Sequence, residues 1–329
     1  MNYDDPIYGD VTIDEPVLQA LIQSQAVQRL HDVLQHGITG LIGVTTPITR
    51  FEHSLGAMLL VRRLGGPLQE QIAALLHDVS HTAFSHVIDY VLDGHDEQSY
   101  HDEMKEAYMA TTDLPGILEQ YGYNWIDFVD EETFPLLEQP APRLCADRID
   151  YFLRDSIGLG LATQADIDLA VAHLVVRDGR IALNNLSIAQ WFGNTFMQAD
   201  DASWANFREV GLYELTAQAI RRGLEMGAIV QDDFWLTDEV LWQELHAHDD
   251  AQLQTLLSQV SLETEFVWDE ANPTFSVSTK LRAIDPDVWH EGELRPLSTL
   301  DPDFAARREA YLNRKQGTWP MRVINKREA

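Results

Sequence analysis

Residues 50–90 constrain this chain most, because they place metal-binding side chains around two helical segments. The stretch reads RFEHSLGAMLLVRRLGGPLQEQIAALLHDVSHTAFSHVIDY. Apolar residues at helical spacing predict two helices that meet at residues 65–67, where Gly-Gly-Pro interrupts the pattern. His53 opens the first segment, and the adjacent pair His77 and Asp78 closes the second.

The histidines of this stretch predict a metal site. Four of the chain's 12 histidines fall here, at His53, His77, His81 and His86. The apolar run of residues 72–76 leads straight into His77, and a buried ionisable pair needs a partner such as a metal ion. Imidazole and carboxylate suit Mn, Fe, Zn or Ni, and an ion held this way can activate a water molecule. The alternative interpretation is a set of surface or structural histidines.

His86 and Asp89 form a second candidate pair. They are three residues apart, so a helix would place both side chains on one face. A carboxylate can orient an imidazole and hold it protonated, which suits a general acid for a leaving oxygen. The alternative is a local helix pair without chemistry.

These motifs resemble the HD-domain phosphohydrolases, and within them the deoxynucleoside triphosphate triphosphohydrolase branch. The resemblance rests on RFEHS at residues 50–54, HD at 77–78, His81, FSH at 84–86 and DRIDYFLRD at 147–155. It extends from about residue 7 to about residue 245. It implies a mainly α fold, with an HD-domain (phosphodiesterase-like) helical core, and one divalent ion (Mn, Mg, Fe, Ni or Zn). The implied metal ligands are His53, His77, Asp78 and Asp147, with Asp150 as the other possible ligand.

The resemblance also implies roles around the metal. The implied catalytic set is His81, His86, Asp89 and His101, and the implied substrate contacts are Gln35, Arg50, Arg148, Tyr151 and Asp155. Gln35 would lie beside the deoxyribose, and Tyr151 and Asp155 would flank the sugar and its 3′-hydroxyl. The family often has Leu after this Gln, where this chain has His36.

The reaction that the resemblance implies is attack of a metal-activated water on the α-phosphate of a dNTP, which releases a deoxynucleoside and tripolyphosphate. The family's basic polyphosphate contacts in residues 186–226 are replaced here by Asp200 and Asp201, with Arg208 as the nearest cation. This departure leaves two alternatives open: a nucleotide phosphomonoesterase or pyrophosphatase, and a non-catalytic nucleotide-binding sensor.

The formal net charge of −30 disfavours nucleic acid and anionic membranes as partners. Cys145 is the single cysteine, the N-terminus is acidic and polar, and no apolar run reaches membrane-spanning length. The sequence therefore predicts a cytoplasmic protein without a membrane segment. Aromatic helices near residues 191–215 and the family resemblance predict a homo-oligomer.

The remaining segments predict a core at residues 1–260 and a small α+β C-terminal lobe at residues 261–329. The core includes an N-terminal arm at 7–13, a hairpin at 174–183 with Asp-Gly at its turn, and a long helical region at 186–226. The lobe is predicted to hold strands at 266–268, 275–278, 279–284 and 319–324, and a helix at 301–312. Its basic residues indicate either a solvated face or a contact with an anion or effector, and they are Arg295, Arg307, Arg308, Arg314, Lys315, Arg322, Lys326 and Arg327.

Overall fold

The helical periods of the sequence are realised as a mainly α fold in a computed structural model, which describes residues 1–94 and 98–325. Lys326 and Arg327 lie outside the described residues. The helices are α1 Pro16–Ile22, α2 Gln25–Arg29, α3 Ile38–Leu41, α4 Arg50–Arg63, α5 Leu68–Leu76, α6 Val87–Val91, α7 Tyr100–Met109, α8 Leu114–Gln120, α9 Ala146–Gly158, α10 Gln164–Ala172, α11 Leu186–Ala199, α12 Phe207–Glu225, α13 Asp238–His246, α14 Ala251–Gln259, α15 Leu297–Leu300 and α16 Pro302–Lys315.

The strands form three small sheets. They are β1 Asn2–Asp5, β2 Gly9–Thr12, β3 Leu174–Arg177, β4 Arg180–Leu183, β5 Thr264–Trp268, β6 Phe275–Val277, β7 Asp287–His290, β8 Glu293–Pro296 and β9 Trp319–Asn325. β1 and β2 pair as a hairpin at the N-terminal arm, and the other sheets have the orders β3-β4-β7-β8 and β5-β9-β6. No helix among the described residues is long and apolar enough to cross a membrane.

Helices α4, α5 and α9 form the centre of the core. Thr49 and Glu52 begin α4 with a capping box, in which each side chain accepts a hydrogen bond from the other residue's backbone N–H. Gly65 adopts a φ of +82° in the turn to α5, a conformation that favours glycine. α9 packs across α4 at Gly56, where an added Cβ would lie 2.1 Å from Asp150 Oδ1. The absence of a side chain at Gly56 therefore sets how closely the two helices approach.

The predicted hairpin is confirmed, and its turn has the expected chemistry. Asp178 and Gly179 have φ values of +51° and +72°, which is the left-handed geometry of a two-residue hairpin turn. β4 then pairs in parallel with β7 through Leu183 and Val288. Strands β7 and β8, which sequence reasoning missed, thus join the C-terminal residues to the hairpin of the core. The division at residue 260 stays a prediction.

The C-terminal residues differ from expectation at residues 279–284, which were predicted to be a strand. They belong to no sheet, and side chains from other elements form hydrogen bonds with the backbone of Arg282, Ala283 and Ile284. The predicted helix at 301–312 is confirmed as α16, which starts at Asp301, whose side chain accepts the N–H of Phe304, and continues to Lys315. The long helical region is interrupted by a π-helical turn, Asp200–Trp204, between α11 and α12.

Candidate active site

A cavity of about 820 Å³ lies where α4, α5, α7 and α9 meet residues 279–284. The structure brings most of the predicted site residues to its wall. Those that line the cavity are Gln35, Arg50, His77, Asp78, His81, His86, His101, Asp147, Arg148 and Tyr151. His53, Asp89 and Asp155 do not line it, and each lies behind a residue that does.

His53, His77 and Asp147 direct their ligand atoms at one point. His53 Nε2 lies 3.0 Å from Asp147 Oδ1 and 3.1 Å from His77 Nε2, and His77 Nε2 lies 3.5 Å from Asp147 Oδ1. Metal–nitrogen bonds of about 2.0–2.1 Å place neighbouring ligand atoms about 3 Å apart, so this spacing fits one ion. The group comes together because α4, the end of α5 and the start of α9 converge.

Asp78 adds a second carboxylate to this cluster. Its Oδ1 lies 3.5 Å from His77 Nε2, and its Oδ2 lies 3.7 Å from His53 Nε2. The same carboxylate accepts a hydrogen bond of 2.7 Å from Arg50 Nη1, and its Oδ1 is 3.1 Å from His81 Nε2. Asp78 therefore lies between the metal-binding group and the neighbouring histidines.

The charges of the buried carboxylates in this cluster favour a bound cation. Burial opposes protonation of His77, but the charges of Asp78 and Asp147 outweigh it and raise the pKa to about 10. The pKa values of Asp78 and Asp147 lie well below the usual range: burial opposes this, and the neighbouring cationic groups overcome it. A divalent ion would replace those protons, so the donor set fits a divalent metal.

Asp150, the alternative ligand, lies on the other side of His53. Its Oδ2 accepts a hydrogen bond of 2.8 Å from His53 Nδ1 and another of 2.8 Å from Arg154 Nε. Arg154 in turn donates to Asp5 at 2.8 Å. A carboxylate on the far ring nitrogen fixes the tautomer of a metal-binding histidine. This geometry favours Asp147 over Asp150 as the ligand.

His81, His86 and His101 form a second histidine group. The rings of His81 and His101 stack with centroids 3.9 Å apart, and His86 lies edge-on to His101 at 5.5 Å. His86 Nδ1 is 3.2 Å from Asp89 Oδ2, as the i, i+3 spacing predicted. The other oxygen of Asp89 accepts the N–H of Tyr100 at 3.1 Å, which fixes the carboxylate.

The expectation that Asp89 keeps His86 protonated is not met. Burial, followed by the charges of Arg50 and neighbouring cationic groups, holds the pKa of His86 well below its usual range. Burial also raises the pKa of Asp89 above its usual value. A bound phosphate would add negative charge and favour the protonated imidazole.

Arg50 and Arg148 reach the cavity with part of their hydrogen-bonding capacity already used. Arg50 donates to Ser85 Oγ at 3.0 Å in addition to Asp78. Arg148 donates to the carbonyl oxygen of Arg143 at 2.6 Å and to Glu138 Oε1 at 3.3 Å. These partners hold both guanidinium groups in place at the cavity wall.

Asp155, which was predicted to contact the sugar, is bonded to two other residues and does not line the cavity. Its Oδ1 lies 2.8 Å from His36 Nε2, and its Oδ2 accepts a hydrogen bond of 2.7 Å from Trp204 Nε1. Both partners line the cavity, and the carboxylate lies behind them. Gln35 lines the cavity, and its buried Oε1 has no hydrogen-bond partner among the described residues.

Sequence reasoning named Arg308 of α16 among the basic residues of the lobe, but it missed Lys280 and Arg282 as residues of the cavity. Lys280, Arg282 and Arg308 line it. The predicted candidate Arg208 does not, since its guanidinium donates to the carbonyl oxygens of Leu262 and Thr264. The sequence did contain a signal for these two cations. Lys280 and Arg282 are two residues apart in a predicted strand, and residues at that spacing share a face.

This fold and this His/Asp cluster define a metal-dependent phosphohydrolase. The HD domain family matches residues 50–155. The metal-dependent phosphohydrolase cns2 of Cordyceps militaris is 39% identical over 326 residues, which cover 94% of this chain and 91% of that protein. The chain belongs to the HD-domain metal-dependent phosphohydrolases. It is therefore a hydrolase, and its family implies a divalent metal ion.

Two further similarities bear on fold and on substrate. A phosphohydrolase crystal structure from Bacteroides thetaiotaomicron superposes with a TM-score of 0.71 over 98% of this chain and 99% of that one, at 18% identity. A deoxynucleoside triphosphate triphosphohydrolase, SAMHD1 of Gallus gallus, is 28% identical over 216 residues, which cover 50% of this chain and 35% of that protein. The first similarity concerns the fold alone.

Proposed function

We propose that the protein hydrolyses nucleotides, with dNTPs as first candidate substrates and a deoxynucleoside and tripolyphosphate as products. The observation that carries the proposal is one cavity of about 820 Å³ whose wall combines His77, Asp78 and Asp147 with Lys280 and Arg282. A volume of several hundred Å³ is typical of small-molecule sites. The similarity to SAMHD1 supports the choice of a dNTP.

His53, His77, Asp78 and Asp147 are the proposed metal ligands. A divalent ion bound there would supply an activated water and polarise the α-phosphorus. Two imidazoles and two carboxylates leave room for water and a phosphate oxygen. Asp150 orients His53 for this role through the 2.8 Å contact with its Nδ1.

The remaining polar groups act on the phosphate and the leaving oxygen. Arg50, Arg148 and His81 line the cavity beside the cluster and would offset charge that develops on the phosphate. His86, oriented by Asp89, would donate a proton to the leaving 5′-oxygen once the bound phosphate has raised the pKa of the His86 imidazole. His101 stacks on His81 and holds its ring.

The base and sugar would occupy the aromatic side of the cavity. Tyr151, Phe196, Trp204 and Tyr213 line this side, and Gln35 offers its unpaired oxygen there. Stacking on such rings binds a nucleobase without strong sequence preference.

A nucleoside mono- or diphosphate is the second candidate. It is favoured by residues 186–226, which have Asp200 and Asp201 where the family resemblance implies basic contacts with the polyphosphate, while Arg208 donates to backbone carbonyl oxygens. A monophosphate would then release orthophosphate and a diphosphate would release pyrophosphate, with the proposed ligand and proton-donor roles unchanged.

Product analysis tests the proposal. The purified protein is stripped of metal, reloaded with Mn²⁺, Mg²⁺, Fe²⁺, Ni²⁺ or Zn²⁺ singly, and incubated with each dNTP, NTP and dNMP. Deoxynucleoside plus tripolyphosphate, lost in Asp147→Asn, is the expected result. Orthophosphate from monophosphates alone would replace it with the second candidate. Absence of turnover with every metal would leave a nucleotide-binding sensor.

Three finer properties complete the proposal. We propose manganese as the first metal to test, since its preference for carboxylate and water ligands fits the two Asp and the positions left for water. We also propose a homo-oligomer and a cytoplasmic location. Light scattering of the purified chain tests the first, and cell fractionation tests the second.

A further inference from the structure

Residues 279–284 form one wall of the cavity and are held there by side chains rather than by a sheet. Thr279 Oγ1 accepts a hydrogen bond of 3.0 Å from Tyr90, and the N–H of Arg282 donates to Asp200 Oδ2 at 3.0 Å. Arg308 donates to the carbonyl oxygen of Ala283 at 3.0 Å. Contacts to α6, to the π-helical turn and to α16 therefore fix this wall along its length.

The anchor at Asp200 is buried. Tyr311 donates to the same carboxylate oxygen at 2.7 Å, so Asp200 Oδ2 joins α16 to the backbone of Arg282. Asp200 is fully buried, although its position between two helices gave no sign of this in the sequence. This contact fixes the backbone position from which the Arg282 side chain extends.

This wall brings two cations to the cavity, and a third faces them. Lys280 and Arg282 line the cavity together with Arg148, and Arg282 donates a hydrogen bond to Gln98 Oε1, which also lines it. Burial lowers the pKa of Lys280, and the charges of Arg282 and then Arg148 lower it further. Like charges that converge in a partly buried space destabilise the unliganded protein, and a bound anion removes that repulsion.

The wall of the cavity also carries acidic groups near these cations, among them Asp102, Glu131 and Glu138. Burial and neighbouring charges raise the pKa of Asp102 to about 6 and that of Glu138 to about 7, so both carboxyl groups lose part of their charge near neutral pH. Glu131 is paired with Lys105. The same cations also act on His86, since Arg282 and Lys280 contribute to its lowered pKa. The positive wall thus lies beside the proposed proton donor.

We propose that Lys280 and Arg282, with Arg148, form a polyphosphate subsite that binds the phosphates beyond the one attacked. The inference rests on the proposed function, and it specifies a substrate with two or more phosphates. In this proposal, residues 279–284 supply the basic polyphosphate contacts that the family resemblance places in residues 186–226. Lys280 and Arg282 are binding residues, and Asp200 is a positioning residue for Arg282.

Calorimetric titration with inorganic tripolyphosphate and with orthophosphate tests the subsite on the full-length protein. Lys280→Met and Arg282→Gln remove one charge each at similar volume. We expect each to weaken tripolyphosphate binding about tenfold, because a charge-assisted hydrogen bond contributes about 1.5 kcal/mol or more. Binding of orthophosphate should change less than about threefold. Arg295→Gln removes an exposed cation that pairs with Glu293 and is the matched control.

Conservative variants separate charge from folding. Lys280→Arg and Arg282→Lys should retain most tripolyphosphate binding if the charge is what matters, and thermal unfolding checks that every variant is folded. Unchanged tripolyphosphate affinity in folded Lys280→Met and Arg282→Gln would overturn the subsite. An equal loss for orthophosphate and tripolyphosphate would also overturn it, because it would place both cations at the attacked phosphate.

The titrations use no turnover, so they are independent of the proposed function. Tripolyphosphate binding that depends on Lys280 and Arg282, in a protein that hydrolyses no nucleotide, would contradict the proposed function and keep the subsite. Hydrolysis of dNTPs with KM values unaffected by both substitutions would keep the function and contradict the subsite. The expected kinetic result is a KM for dNTPs raised about tenfold with kcat little changed.

Discussion

His53 and Asp150 are joined by a hydrogen bond of 2.8 Å from the ring Nδ1 to the carboxylate, on the side of the ring away from the metal-binding group. The bond orients the ring so that Nε2 is directed at His77 and Asp147, where it could bind a metal ion. Arg154 holds the same oxygen of Asp150, so the orientation of His53 depends on a chain of buried polar groups rather than on His53 alone.

Asp150→Asn is therefore expected to weaken metal binding about 10- to 100-fold while the direct ligands stay in place. Titration of the metal-free protein with Mn²⁺ measures the change. Asp168→Asn is the control, because Asp168 is an exposed carboxylate whose contact is to Gln164 on the same helix. Equal metal affinity in Asp150→Asn and the control would contradict a role for Asp150 in orienting His53.

Gly56→Ala tests the close approach of α4 and α9. The new Cβ would lie 2.1 Å from Asp150 Oδ1 and 2.0 Å from Arg154 Nη2, and both atoms belong to the buried network behind His53. We expect the free energy of unfolding to fall by about 2–3 kcal/mol, measured by chemical denaturation. Gly116→Ala in α8 is the control, since its Cβ meets nothing within 4 Å, and its stability should be equal or slightly higher.

His86→Gln tests the proton donor separately from the metal. We expect kcat for the natural ester to fall about 10²- to 10⁴-fold with metal affinity unchanged. A p-nitrophenyl phosphate ester needs little protonation of its leaving oxygen, so its loss should be much smaller. His246→Gln, at an exposed histidine of α13, is the control. An equal loss for both esters would show that His86 acts on the phosphate rather than on the leaving oxygen.

Asp200→Asn should change how stability depends on pH. Burial raises the pKa of Asp200 to about 6, above the value of about 4 for an unfolded aspartate, so the folded protein holds the proton more tightly. This group therefore favours the folded state below about pH 4, and its contribution is lost as the pH rises through about 6.

The difference in free energy of unfolding between wild type and Asp200→Asn isolates the pH-dependent contribution of Asp200. Wild type should lose on the order of 2 kcal/mol relative to the variant between about pH 4 and pH 7. Denaturation series across this range measure it. A difference that is flat with pH would show that Asp200 is ionised throughout and held by Arg282 and Tyr311.

The sequence predicted the groups whose chemistry is carried by local motifs. His53 lies in α4, His77 and Asp78 directly follow α5, and Asp147 lies in α9, and these helices followed from local patterns. That the four residues form one group was implied by the family resemblance. The hairpin at 174–183 and the helix that begins at Asp301 also followed from local turn and cap residues. In each case residues within a few positions of one another determine the structure.

The parts that sequence reasoning missed depend on contacts between distant residues. Residues 279–284 alternate as a strand would, but Asp200, Arg308 and Tyr90 take their polar groups, so no sheet forms there. Strand β7 pairs with β4 across more than a hundred positions. The pairing of His36 with Asp155 is equally distant, and it changed the role assigned to Asp155.

The pairing of His36 with Asp155 affects how the protein can recognise the sugar of its substrate. Burial opposes protonation of His36, but Asp155 outweighs it and raises the pKa. The imidazole covers the carboxylate on the cavity side. Wild type should therefore show little preference, within about threefold, between 2′-deoxy and 2′,3′-dideoxy forms of its substrate, because Asp155 Oδ1 is occupied.

His36→Leu should raise this preference about tenfold, since the exposed carboxylate oxygen can accept a hydrogen bond from the 3′-hydroxyl. The ratio of kcat/KM for the two forms measures the effect, and thermal unfolding checks that the variant is folded without its buried ion pair. His36→Gln is the matched variant, because an amide can still donate to Asp155 and should keep the wild-type ratio. A strong preference already present in wild type would mean that the sugar reaches Asp155 past His36, and the pairing would then be a feature of the unliganded protein only.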